Sequence, residues 1–334
     1  MDKPKARMLS GIKPTGQVTL GNYLGAIKPF TSYQDDYNLS VFIADLHALT
    51  LPIDPEELRQ NTLDLLCIYL AAGLDPLKTT IFKQSAVPAH NQLEWILTCN
   101  SVMRHFSEMN QYKVKSSQVT AHEGIPTGIF MYPSLMAADI LLYDADYVPV
   151  GIDQVQHIEL TRTLAERFNR VYGETFKLPE PVISKTGAKI MSLADPTKKM
   201  SKSESDKGTI YLLEDIEKTR KKIMRAVTDS ESKIYYDPEN KPGISNLLTI
   251  YAAIKDISIE DAANIFKDEK DYGVFKRAVA DVVCDECLRI QKKIKFLKED
   301  NKYLDTVLKS GTVLARLISE RKIEEIYKKV GLDF

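Results

Sequence analysis

The chain has 334 residues and sets 45 lysines and arginines against 46 aspartates and glutamates, for a net charge of −1. Its 44% hydrophobic content is that of a globular protein, and no run approaches the ~20 apolar residues that cross a bilayer, so no membrane partner is expected. A near-neutral balance leaves any nucleic-acid contact to local patches, and the length suits one large domain with a smaller one.

The N-terminus, Met1-Asp2-Lys3-Pro4-Lys5, runs into a strand without a secretory core, so a cytoplasmic location is expected. Arg7 to Ile12 reads as a short buried strand and Pro14-Thr15-Gly16 as a turn. Leu20, Tyr23, Leu24 and Ile27 then recur at helical spacing. Leu39 to Ala44 predicts a strand, Pro55 to Leu74 a helix, and Thr79 to Phe82 a strand followed by a helix through Trp95. Tyr147 to Val150 predicts a strand and Gln154 to Phe168 a helix. This alternation implies an α/β fold: a doubly wound, Rossmann-like parallel sheet with helices on both faces.

Beyond Ser203 the pattern turns helical: Asp215–Val227, Ile244–Ile254, Ile259–Phe266, Tyr272–Phe296 and Asn301–Val330, with no convincing strand. The expected division is a catalytic domain over 1–198, a mobile lysine-serine loop over 199–203 and an all-helical C-terminal domain over 204–300. The last helix, about 301–334, is expected to pack back on the first domain. Three basic clusters lie in this part, around Lys218–Arg225, Arg289–Lys298 and Arg321–Lys329, and by pattern alone they are solvated helix faces. Cys284 and Cys287 form a lone C-x-x-C inside a helical pattern, without the second pair that a zinc site needs, so no metal site is expected. Asp153 and His157 share a helical i,i+4 spacing but lack a third ligand. His90, His105 and His122 read as surface or loop residues, and Trp95 as a packing residue.

Two stretches carry chemistry. Ser10-Gly11-Ile12-Lys13-Pro14-Thr15-Gly16 ends the first strand, and Thr19-Leu20-Gly21-Asn22 opens the next helix. In a doubly wound sheet, ligands bind where strands end and helices begin. Helix N-termini favour phosphates, and Thr19 and Asn22 share a face from which both could donate to a triphosphate. The Walker spacing is absent. Far downstream, Lys199-Met200-Ser201-Lys202-Ser203 offers two ammonium groups and two hydroxyls that suit a polyphosphate.

Together these stretches resemble the paired nucleotide motifs of class I aminoacyl-tRNA synthetases. The likeness is narrower still to the bacterial-type tryptophanyl-tRNA synthetases. It runs through Ser10–Ala26, Ala44–Thr50, Tyr132–Tyr143, Val148–Arg162, Ile190–Ser203, Thr228–Ser230, Pro242–Leu248 and Tyr272–Lys276. The resemblance implies ATP-dependent activation of tryptophan to tryptophanyl-adenylate, then transfer to the 3′ end of tRNA(Trp). It also implies a homodimer, a helical domain that binds the anticodon, and Mg2+ carried by the ATP phosphates. By this likeness Lys13, Pro14, Thr15, Gly21, Asn22, Gly151, Ile152, Asp153, Ile190 and the loop Lys199, Met200, Ser201, Lys202 and Ser203 contact ATP. Thr19, Asn22, Lys115, Lys199 and Lys202 are the implied catalytic groups. Lys13 stands where the family often has glutamine, and Thr19 where many class I members have histidine.

Amino-acid choice is expected of Tyr132-Pro133-Ser134-Leu135-Met136-Ala137-Ala138-Asp139-Ile140. An indole N–H only donates, and a buried carboxylate is its natural acceptor. Asp139 is expected to accept it, with Met136 and Ile140 on either face of the ring. Gln154 and Tyr132 would hold the substrate's ammonium and carboxylate, with Gln111 and His47 as further candidates. The rival readings are a tyrosyl-tRNA synthetase, a small-molecule adenylyltransferase, and a catalytically silent synthetase-like nucleotide- or RNA-binding protein. The Met136-Ala137-Ala138-Asp139 run, the helical C-terminal region, and the intact Lys199, Lys202 and Asp139 argue against these in turn.

Overall fold

The computed structural model describes residues 4–116, 124–183, 189–201 and 207–333. The elements, in order, begin with β1 (Arg7–Ile12), α1 (Leu20–Asn22), a π-helical turn (Tyr23–Ile27), α2 (Lys28–Asp36) and β2 (Asn38–Ile43). Then come α3 (Asp45–Ala48), α4 (Pro55–Ala72), β3 (Thr79–Lys83), α5 (Ala89–Cys99), α6 (Met103–Ser107), α7 (Asn110–Ser116) and α8 (Thr127–Leu141). β4 (Tyr147–Pro149), α9 (Val155–Tyr172) and β5 (Glu180–Val182) complete the sheet region. Among the described residues that follow, the helices are α10 (Ile216–Met224), α11 (Pro242–Lys255), α12 (Ile259–Phe266), α13 (Tyr272–Glu299) and α14 (Asn301–Val330).

All strands pair in parallel, in the order β3-β2-β1-β4-β5. The chain therefore winds outward from β1 in one direction and then crosses to wind outward in the other. This reversal opens a crevice at the carboxyl ends of β1 and β4. The strands are buried on both faces, so they read as nearly continuous apolar runs: Leu39, Val41, Phe42 and Ile43 of β2 are all buried.

Two hydrophobic layers cover the sheet. One joins Met8, Val41 and Ile43 to α4 and to α11 and α13 of the helical region, through Leu66, Leu247 and Val283. The other joins Leu9, Phe42 and Phe82 to α5, α8, α9 and α14, through Leu93, Ala138, Ile158 and Ala315. α14 crosses β3 so closely that a Cβ at Gly311 would lie 1.8 Å from the Ile81 carbonyl oxygen. The small residue there permits the contact.

Three differences from the sequence reading have physical reasons. β5 was not expected; it is three residues long and contains Pro181, so its apolar signal is weak. Beyond residue 203 the chain is not wholly helical. Leu20 N donates to Ile210 O and Leu212 N to Val18 O, both at 2.9 Å, pairing Thr19 with Tyr211 in an antiparallel bridge. Trp95 is no packing residue: it lies on the outer face of α5 and is 67% exposed.

Candidate active site

A cavity of about 550 Å³ fills the crevice at the switch point. The end of β1 lines it with Ser10, Ile12 and Lys13, and the end of β4 with Val148, Pro149 and then Gly151 and Gln154. α8 gives Tyr132, Met136, Asp139 and Ile140, at offsets of four, seven and eight that fall on one helix face. Thr15 and Asn22 come from the turn and helix after β1, His47 from α3, and Lys199, Met200 and Ser201 from far downstream. A wider concavity of about 690 Å³ lies elsewhere, at the opposite end of the sheet. Several of its charges pair with one another, Lys322 with Asp144 at 2.8 Å, Arg7 with Asp144 at 3.7 Å and Lys177 with Asp146.

Backbone pairing brings the two distant stretches together. The Val18–Leu20 segment pairs with Ile210–Leu212, just beyond the lysine-serine stretch. Lys222, buried, holds that segment by donating to Thr209 O at 2.7 Å and to Glu214 at 2.6 Å. On the upstream side Met200 N donates to Ile190 O and Ser192 N to Lys198 O. Gly21 packs beside Ile190 and Met200.

Thr19 requires a correction. It is fully buried, and its hydroxyl caps α1 by accepting from Asn22 N at 3.1 Å and donating to Asn22 Oδ1 at 3.1 Å. It therefore orients Asn22, which lines the cavity, and does not itself reach a ligand there. Lys13 faces the cavity, and crowding by protein around its ammonium lowers its pKa below the ordinary lysine range.

At the floor, Asp139 is 1% exposed. Its Oδ1 accepts from Gln84 Nε2 at 2.7 Å and from His90 Nδ1 at 2.6 Å, and its Oδ2 from His47 Nε2 at 2.8 Å. Burial opposes its charge, but the hydrogen bonds from His47 and His90 outweigh burial and hold the carboxyl at about 2. An ionised Asp139 accepts only, so His90 donates to it through Nδ1, and His90 Nε2 lies 2.9 Å from the Tyr143 hydroxyl. Gln84 also accepts from the backbone N–H groups of Leu46 and His47, which fixes α3 against the site.

His90 is the second correction: expected on the surface, it is fully buried against Asp139. His90 and Gln84 lie outside the segments that carry the family likeness, and Tyr143 ends one of them without a pattern that marks it as a partner of His90. On the other wall, Tyr132 stacks on His157 with ring centres 5.4 Å apart, and its hydroxyl is 2.8 Å from His157 Nε2. Burial, helped by Asp153, pushes the Tyr132 phenol up to about 12, so it stays neutral.

Other expected residues stand off the cavity. Pro14, Gly21 and Ile190 shape its surroundings, Ile152 is 76% exposed, Asp153 is exposed and accepts from Gln154 Nε2 at 3.1 Å, and Gln111 does not line it. Lys202 and Ser203 lie outside the described residues, as do His122 and the side chain of Lys115 on α7.

Residues 1–287 match the family described as tRNA synthetases class I (W and Y). A protein named tryptophan–tRNA ligase from Caldanaerobacter subterraneus subsp. tengcongensis is 49% identical over 327 residues, covering 98% of both chains. The chain belongs to the class I tryptophanyl-tRNA synthetases. A crystal structure of tryptophanyl-tRNA synthetase from Mycoplasma pneumoniae superposes on this synthetase with a TM-score of 0.90, at 36% identity over 98% of each chain. That from Campylobacter jejuni, complexed with ADP and tryptophan, does so with a TM-score of 0.81, at 34% identity over 97% of this chain and 99% of that one.

Proposed function

We propose that this enzyme activates L-tryptophan with ATP and passes it to tRNA(Trp). The observation that carries the reading is Asp139: a buried, ionised carboxylate at the floor of a cavity whose mouth holds lysines, hydroxyls and an asparagine amide. In the first step a tryptophan carboxylate oxygen attacks the α-phosphorus of ATP, and pyrophosphate leaves with the electrons of the broken P–O bond. In the second, a ribose hydroxyl at the 3′ end of tRNA attacks the activated carbonyl and AMP leaves.

Neither step needs a protein nucleophile, so positioning and charge stabilisation do the catalysis. Asp139 would accept the indole N–H, and Met136 and Ile140 would pack on the ring. Gln154 and Tyr132 would hold the ammonium and carboxylate. Lys13, Asn22, Thr15, Lys199 and Ser201 would hold the phosphates, with Lys202, Ser203 and Lys115 as further candidates. This donor set is cationic or neutral, so it suits phosphate oxygens, and a magnesium ion would be held by the triphosphate itself. It would supply charge neutralisation there. The helical region, with its basic faces, would bind the anticodon end of tRNA in a homodimer, working where tRNA and ATP meet, in the cytoplasm. No helix among the described residues is long and apolar enough to cross a membrane.

ATP–pyrophosphate exchange with each amino acid, followed by charging of tRNA(Trp), tests this. Exchange driven by tryptophan supports the reading. Exchange driven by tyrosine, or by no amino acid, defeats it.

A further inference from the structure

The base of the Lys199–Ser201 stretch is held by a side chain from the helical region. Asn246 of α11 is 4% exposed. Its Oδ1 accepts from Met191 N at 2.8 Å, and its Nδ2 donates to Met191 O at 2.9 Å. Met191 stands opposite Lys199 in a short antiparallel bridge, flanked by the hydrogen bonds of Met200 N to Ile190 O and Ser192 N to Lys198 O. In such a pair the N–H and C=O of Met191 point away from its partner. They are the two groups that Asn246 takes, so its amide fills the place of a third strand. Asparagine is a poor residue inside a helix, and a buried amide must find partners. This one finds both on the backbone that leads to the cavity.

α11 is itself fixed in place. A Cβ at Gly243 would lie 2.1 Å from the Val227 carbonyl oxygen, so the helix start is pressed against that segment. Lys241, just before it, is 2% exposed and pairs with Asp229 at 2.8 Å and Glu231 at 2.9 Å. Val227 N in turn donates to Leu193 O at 2.8 Å. A shift of α11 thus moves Met191 and, across the bridge, Lys199.

We propose that Asn246 is a positioning residue: it sets Lys199 and Ser201 against the nucleotide and ties that placement to the helical region, without touching substrate. The proposal rests on the ATP-dependent reading above. The test uses the full chain with Asn246→Asp, which keeps the acceptor but turns an oxygen toward Met191 O, and with the milder Asn246→Ser. Pyrophosphate exchange gives KM for ATP, KM for tryptophan and kcat, and calorimetry gives the Kd of a non-hydrolysable ATP analogue and of tryptophan alone. The expected result is a loss of at least tenfold in kcat/KM for ATP and in analogue affinity for Asn246→Asp, a smaller loss for Asn246→Ser, and tryptophan affinity within twofold of the parent. Equal losses toward both ligands, or no loss toward ATP, overturn the proposal. If Asn246→Asp does not fold, Asn246→Ser decides by the same split. If the parent fails to exchange with tryptophan, the activity reading falls, and the analogue Kd values still decide the role of Asn246.

Discussion

His90 Nδ1 donates to Asp139 Oδ1 across 2.6 Å, both side chains being essentially excluded from solvent. With Gln84 also on Oδ1 and His47 on Oδ2, three of the roughly four acceptor positions of this carboxylate are filled. One position on Oδ2 is left, on an acid that also lines the cavity. A carboxylate so surrounded is fixed in both charge and direction before any substrate arrives. That arrangement suits the role proposed for Asp139, as the acceptor of a single N–H.

Asp139→Asn keeps the shape of the side chain but sets an amide against three donors. kcat/KM for tryptophan in pyrophosphate exchange is expected to fall about 10- to 100-fold, the cost of leaving buried polar groups unpaired. KM for ATP should change little, because the nucleotide groups lie at the mouth of the cavity. Unchanged tryptophan kinetics would remove Asp139 from the recognition site.

The depressed carboxyl also sets a pH dependence. A folded-state value of about 2 against an ordinary 3.8 means that the ionised form stabilises the folded chain. That contribution is complete above about pH 4 and disappears as pH falls toward 2. In denaturant titrations from pH 2.5 to 6, the advantage of the parent over Asp139→Asn is expected to be constant above pH 5 and to shrink below pH 4. An advantage that grows on acidification would contradict the assignment.

Tyr143→Phe removes one hydroxyl, 4% exposed as a residue, and leaves His90 Nε2 without its hydrogen-bond partner. The expected destabilisation is about 1–2 kcal/mol by urea unfolding, together with a raised KM for tryptophan as Asp139 loses its fixed neighbour. A variant with parental stability and kinetics would show that the relay from Tyr143 through His90 is idle.

Lys241→Met tests the anchor of α11. It leaves Asp229 with its depressed carboxyl, near 2, and Glu231 without their shared cation. Asp229 is partly exposed, so water will cover some of the loss, and the expected cost is about 1–3 kcal/mol in chemical denaturation. A neutral or stabilising substitution would show that these pairs do not anchor the helix.

The long apolar strands β1, β2 and β3 could be read from sequence because burial on both faces leaves continuous hydrophobic runs. The cavity wall on α8 was readable from the family resemblance of Tyr132–Ile140, with helical spacing adding that Met136 and Asp139, three apart, share a face. β5 could not be read, because three residues with a proline carry almost no pattern. Nor could the partners of Asp139: Gln84 and His90 lie 55 and 49 residues upstream and meet it only when β3, α5 and α8 pack together. Thr19 was misjudged for a local reason. A threonine three residues before an asparagine suits helix capping as well as ligand binding, and the buried capping geometry prevailed. Trp95 was misjudged because a helix pattern gives the presence of an apolar stripe more readily than the side on which a single large residue falls.

The most direct measurement is pyrophosphate exchange by the parent enzyme with tryptophan and with its benzothiophene isostere, which keeps the bicyclic shape but lacks the N–H. Rejection of a substrate that leaves a buried acceptor unpaired predicts a kcat/KM about 100-fold or more in favour of tryptophan. Equal activation of the two would contradict recognition of the indole by Asp139.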